Sequence, residues 1–260
     1  MTSDARRALA DSAMWSVVGA GSVRRDSEEL ATSFVRYQGA SDGSAEVRTA
    51  QGGSSLAAGA IWEQVIAWCR EHDVTHPRWS VVRGSEPRGF AKLIRTLGGV
   101  FAGSTEVLVA DIAAALAVPP AATAMRTEVV EAQDQLAAAD AEIAAKVGTL
   151  AVPIRTRTAF WVLARDPSGA AVSVGECTLT GGVARLSGAY TLEAHRRQGA
   201  YTAVLRRRLA TARDAGATVA VARGLAATSA PILARGGFSR YATWDKYTMP
   251  LIRAGGQDPD

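Results

Sequence analysis

The sequence predicts an α/β (α+β) protein built of two similar halves, and three observations predict it. Between residues 159 and 192, three runs of apolar and β-branched residues are separated only by Asp166-Pro167-Ser168-Gly169 and by Gly181-Gly182. That is the punctuation of an antiparallel meander. Helical and extended segments then alternate, each helix closed by glycine. Lastly, one order of elements occurs twice: helix, strand ending Arg-Gly, helix, Gly-Gly, strand. It runs from 61 to 100 through Arg83-Gly84 and Gly98-Gly99, and from 203 to 238 through Arg223-Gly224 and Gly236-Gly237. A diverged tandem duplication is the expectation.

Taken in order, residues 5–20 carry a helical pattern, 31–37 and 45–50 are short strands, and Gly52-Gly53-Ser54-Ser55 is a loop. Ile61, Trp62, Val65, Ile66 and Cys69 recur at three and four residues, an amphipathic helix over 61–71. A strand at 79–82, a helix at 87–97 and a strand at 100–111 complete the first half. Residues 117–124 lose periodicity around Pro119-Pro120 and form the expected linker. The predicted division is therefore 1–117, a linker at 118–124, and 125–260. An alanine-rich helix at 132–146 precedes the three strands of the meander. Beyond them the expectation is a helix at 203–215, a strand at 218–222, a helix at 228–235 and two strands at 238–243 and 246–251.

Composition narrows the class. With 48% hydrophobic and 21% charged residues the chain is ordinary for a globular protein, and a net charge of +4 does not by itself argue for nucleic acid. It suits an anionic ligand. Two isolated cysteines, Cys69 and Cys177, make neither a disulfide framework nor a zinc site, so buried thiols and no metal are expected. No apolar run approaches the ~18 residues of a membrane span. The polar N-terminus shows no signal-peptide core, and the expected location is cytoplasmic, without a membrane partner.

The chemistry concentrates at His195-Arg196-Arg197-Gln198-Gly199-Ala200-Tyr201-Thr202, between the strand over 183–192 and the helix after it. A helix start offers amide hydrogens without intrahelical partners and the positive end of the macrodipole. Gly199 lets the backbone approach a ligand, and the arginines add fork-shaped donors. That is a recipe for holding phosphate.

These residues resemble the signature of the GNAT superfamily of N-acyltransferases. Its motif, Arg/Gln-x-x-Gly-x-Gly/Ala after a strand, is filled by Arg196-Arg197-Gln198-Gly199-Ala200-Tyr201. Its second part, a helix running into Gly-Phe and a strand, is filled by Ser229 through Gly236-Gly237-Phe238. The resemblance covers roughly 123–251, and more faintly the first half, where Gln51-Gly52-Gly53-Ser54-Ser55-Leu56 has no arginine. It implies two domains of this kind, each a mixed, mostly antiparallel sheet flanked by helices, with the first a degenerate copy. It also implies acetyl-CoA, or another acyl-CoA, as co-substrate. Amides of Arg197, Gln198, Gly199, Ala200, Tyr201 and Thr202 would cradle the pyrophosphate, with Arg196 opening the motif. Ala189, Tyr190 and Thr191 would pair with the pantetheine arm, and Ser229 would lie near it. The acceptor implied is the amine of a small molecule, attacking the thioester directly.

The departures are chemical. Tyr201 stands where glycine or alanine is usual, Ala226 where asparagine is frequent, and Leu233 where many members carry a proton-donating tyrosine. No carboxylate lies in 183–191. Glu176, on the neighbouring strand in an apolar run, is the candidate base if buried, and a solvated strand residue if not. Tyr190 is the candidate acid, or simply a packed aromatic. Trp161 and Trp244 are expected in the core, His76 in a loop, and Asp245-Lys246 between strands. Two other readings stay open. One is a catalytically weak acyl-CoA-binding module. The other is a transferase taking its acyl group from aminoacyl-tRNA, although nucleic acid is not the expected partner. The assembly expected is a monomeric pseudo-dimer or a homodimer.

Overall fold

A computed structural model describes residues 35–39, 44–49, 58–84, 88–120, 123–130, 141, 143, 145, 159–249 and 251. The elements are β1 (Val35–Gly39), β2 (Ser44–Thr49), α1 (Ala58–Glu71), β3 (His76–Val82), α2 (Phe90–Thr96), β4 (Val100–Asp111), α3 (Ile112–Ala117), β5 (Arg126–Val130), β6 (Ala159–Arg165), β7 (Ala171–Thr180) and β8 (Val183–Thr191). A 3-10 turn at Glu193–His195 leads to α4 (Ala200–Asp214), β9 (Val219–Leu225), α5 (Ser229–Arg235) and β10 (Ser239–Thr248). The helix expected over 5–20, the loop at 52–55 and most of the helix at 132–146 lie outside the described residues. Positions 141, 143 and 145 are helical, with Ile143 buried. No helix among the described residues is long and apolar enough to cross a membrane.

The chain forms two compact units, and they are not its linear halves. Among the described residues, one takes 107–241; the other takes 35–106 together with 242–251. The boundary thus falls inside β4 rather than at Pro119-Pro120, because strand pairing, not chain order, decides it. In the smaller unit β1 pairs antiparallel with β2, β2 parallel with β3, and β3 antiparallel with β10, residues 78–82 opposite 244–248. In the larger, β5, β6, β7 and β8 form an antiparallel meander, β8 runs parallel to β9, and β4 follows β9 in the sheet. There the N–H of Ile112, just after β4, donates to the carbonyl of Thr218 at 3.0 Å. Within each unit the strand pairing is mixed and mostly antiparallel, as expected.

The cores follow from amphipathic faces. α1 buries Ile61, Trp62, Val65, Ile66, Trp68 and Cys69 against β2 and β3, where Trp62 stacks on Trp79 with centroids 5.1 Å apart. α4 covers one face of the meander with Val204, Leu205 and Leu209 over Val162, Cys177, Ala184 and Leu186. The opposite face carries Trp161, Leu163 and Val174 with Ile143.

Four elements differ from expectation. α3 begins on Asp111, whose carboxylate accepts from Ala114 N at 3.0 Å, and ends before Pro119. With β5 it is too short to show a period. β10 is one strand rather than two, with Asp245 and Lys246 inside it instead of between strands. Finally, α4 starts at Ala200, so three residues of the basic motif are its first turn.

Candidate functional site

The site is a fork in the larger sheet. β8 pairs with β9 over only four residues, Val183 to Leu186 opposite Val219 to Ala222, while β8 continues to Thr191 and β9 to Leu225. The cause lies on the other side of β8. Val174 faces Tyr190 but Glu176 faces Ser187, so β8 carries one residue more than β7 between those pairs. Gly188 takes the left-handed conformation (φ 54°) that this bulge requires. A bulged strand bends, and here the bend carries 187–191 away from β9. The sequence shows the glycine but not the register slip, which exists only between strands.

Beyond the fork the chain turns into α4. The backbone is left-handed at Arg197 (φ 64°) and at Gly199 (φ 83°), which is the N-cap. No side chain caps the helix, so the amides of Ala200, Tyr201 and Thr202 face out of its positive end. The turn is tied down from two sides. Gln198 Nε2 donates to Ala194 O at 3.0 Å, and Thr123 Oγ1 donates to Gln198 O at 3.3 Å. Arg196 and Arg197 are exposed beside it, with Arg196 3.7 Å from Glu193. Thr123 lies outside every motif; only the folded chain brings it here.

Glu176 is buried, 6% exposed, and not on a solvated strand face. Ser187 Oγ donates to its Oε2 at 3.0 Å, and Trp161 pairs with it across β6. Burial pushes the carboxyl above its ordinary value; bonds from Ser187 and Thr178 and the charges of Arg185 and Arg208 offset only part of this. Tyr190, half-buried, packs on the same face against the Trp161 cluster. Its carbonyl accepts from Ser173 Oγ at 2.9 Å, and the same hydroxyl meets Thr191 Oγ1 at 2.8 Å. Ala189, next to the bulge, is exposed.

The remaining candidates scatter. Ser229 opens α5 and its Oγ accepts from Leu225 N at 2.8 Å, a turn contact that closes the end of β9. Leu233 is fully buried in the core. Trp161 and Trp244 are core residues, as expected. Arg208, which nothing in the helical pattern singles out, is the buried polar residue of α4. The first-half segment 51–56 lies outside the described residues.

No family model and no curated protein sequence matches this chain. Solved structures do match. A GCN5-related N-acetyltransferase from Kribbella flavida superposes with a TM-score of 0.65 at 18% identity, covering 96% of this chain and 97% of that one. A tandem GNAT protein from the clavulanic acid biosynthesis pathway gives 0.61 at 16%, over 86% and 79%. A GCN5-related N-acetyltransferase from Sphaerobacter thermophilus gives 0.59 at 13%, over 83% and 76%. At these identities the likeness is one of fold.

Proposed function

We propose that this chain, which has the fold of the GCN5-related N-acetyltransferases, is an N-acyltransferase moving an acyl group, most simply acetyl, from acyl-CoA to the amine of a small molecule. The observation that supports it is the alignment of three features on one strand. β8 borders the buried Glu176, opens from β9 at Gly188, and ends at the uncapped, basic start of α4. A diphosphate would suit the uncapped start of α4, where the amides of the first turn are free, and Gly199 lets that turn pack against Thr123, 3.0 Å from where a β carbon would lie.

The co-substrate would supply a thioester, an activated acyl group that an amine attacks directly. Amides of 197–202 bind and orient its phosphates. The 187–191 segment, parted from β9, offers main-chain groups to the pantetheine arm, and its amides face the charge that develops on the carbonyl oxygen. As the amine nitrogen bonds to the carbonyl carbon and the carbon–sulfur bond breaks, the amine proton passes to the Glu176 carboxylate. The thiolate takes a proton from the Tyr190 hydroxyl, the acid for which Leu233 leaves the role open. Burial, which raises the Glu176 carboxyl above its ordinary value, makes it a stronger base for such a step.

The halves read as a tandem pair. β2-α1-β3-α2-β4 and β8-α4-β9-α5-β10 follow the same order, and in each the first two strands are parallel neighbours joined through a helix. We take the first copy to serve as scaffold.

Calorimetry with acetyl-CoA, followed by thiol release against a panel of amines, tests the reading. Saturable binding and acceptor-dependent thiol release are expected. A wild-type protein that gives no heat with acetyl-CoA would overturn it, and binding without release to any amine would favour a binding module.

A further inference from the structure

α4 presents Ala200, Val204, Arg208 and Ala212 to the sheet at four-residue spacing. Such a seam calls for apolar side chains, yet its third position is a guanidinium only 1% exposed. Arg208 Nη1 donates to the carbonyl of Glu176 at 3.0 Å and to that of Ser187 at 3.2 Å. One nitrogen therefore ties β7 to β8 at the pair bordering the bulge. Nε and Nη2 have no partner, and among the described residues no carboxylate pairs with the group. Room is made for it: a β carbon on Gly175 would lie 2.8 Å from Arg208 Cζ. A buried cation with two unmet donors works against stability, and an apolar side chain of similar volume packs such a seam better. Its presence calls for a reason other than holding the fold together.

We propose that Arg208 is a positioning residue, which grips the main chain of Glu176 and Ser187 from below the sheet so that the carboxylate stands fixed at the mouth of the fork. This deepens the acyl-transfer reading and rests on it for the role of Glu176. The grip has an electrostatic side. The charged groups that face Glu176 are Arg185 from β8 and Arg208 from α4; β6 contributes the uncharged Trp161, and Ser187 and Thr178 contribute hydroxyls. Both arginines favour the carboxylate against the burial that disfavours it, and Arg208 does so from a position that cannot swing away into solvent.

The test reads Glu176 without needing turnover. Protein labelled with 13C at the glutamate carboxyls is titrated by NMR, and the signal lost in Glu176→Gln identifies the residue. In Arg208→Met the Glu176 midpoint should rise by about one pH unit, and in Arg208→Lys it should return to within about half a unit of wild type. If the acyl-transfer reading holds, the acid limb of kcat/KM shifts the same way in Arg208→Met. Its rate at neutral pH then falls by about tenfold, while acetyl-CoA affinity by calorimetry stays within about threefold because the 196–202 turn is intact. A folded Arg208→Met with the wild-type Glu176 midpoint overturns the proposal, whatever its activity. Should that variant not fold, Arg208→Gln removes the charge while keeping one donor for the two carbonyls. The same rise in the Glu176 midpoint is expected of it, and an unchanged midpoint overturns the proposal equally. A wild-type protein that binds no acetyl-CoA, with the midpoint shift present, would instead sink the acyl-transfer reading alone.

Discussion

Thr123 lies against Gly199 so closely that a β carbon at position 199 would sit 3.0 Å from both its Cβ and its Oγ1. The same hydroxyl donates to the carbonyl of Gln198. The turn is buttressed from a segment 75 residues earlier in the chain, and that close packing depends on a residue with no side chain and a left-handed backbone.

Gly199→Ala should therefore weaken acetyl-CoA binding by roughly tenfold or more, about 1.4 kcal/mol, through both strain at φ 83° and the push against Thr123. Calorimetry measures it. An alanine variant that binds as tightly as wild type would show that this turn is not the diphosphate site.

Glu176→Gln should abolish the acid limb of the pH–rate profile and lower kcat by about 10² to 10⁴. It has a second signature in stability. The native carboxyl is raised above its ordinary value of 4.5, so between 4.5 and its native value the folded state keeps a proton that the unfolded state has released. Stability due to this group is full below 4.5 and is lost as pH rises through that window. Urea unfolding across pH 4 to 8 should show a shallower decline in the glutamine variant; identical slopes would contradict the burial effect.

How much of the fold and the site is legible in the sequence depends on whether the signal is local. α1 and the meander announce themselves because period and turn residues lie within one short window, as with Ile61, Trp62, Val65 and Ile66, or Asp166 through Gly169. The basic turn is legible for the same reason. What stays hidden is made by pairing across distance. The register slip at Gly188, the hand of Ser187 on Glu176, Thr123 beneath Gln198 and the burial of Arg208 each need two segments in contact. β10 reads as two strands because Asp245-Lys246 breaks its apolar pattern. In the fold Arg83 makes the break tolerable by donating to Asp245 Oδ1 at 2.7 Å and to Oδ2 at 3.1 Å, joined by Ser104 Oγ at 2.7 Å.

That cluster carries its own prediction. Burial alone would raise the Asp245 carboxyl, but the bonds from Arg83 and Ser104 outweigh it and hold the group below its ordinary 3.8. Its stabilisation is present above 3.8 and is lost as pH falls through the lower native value. Asp245→Asn should cost about 1 kcal/mol at neutral pH, a modest figure because Arg83 is largely exposed. The gap to wild type should close in strong acid. A gap that persists unchanged down to pH 2 would mean that packing rather than charge holds the site.

Cys69 and Cys177 are both buried, and burial pushes each thiol up to about 12. Native protein should react with a thiol reagent at neutral pH far more slowly than denatured protein, which should titrate two groups. Rapid labelling of the native chain would indicate that one of these sites opens readily.

The return of residues 242–248 to pair beside β3 sets a timetable for biosynthesis. A ribosome releases β1, β2, α1 and β3 early, but their neighbour β10 emerges only after every other described strand. Until then β3 waits with an open edge, a template for pairing with another chain. The larger unit gathers nearly all its strands from one continuous stretch and can close first. The smaller one finishes only once β10 has emerged, so a chain cut short before Ala242 should lose more in that unit than in the larger one.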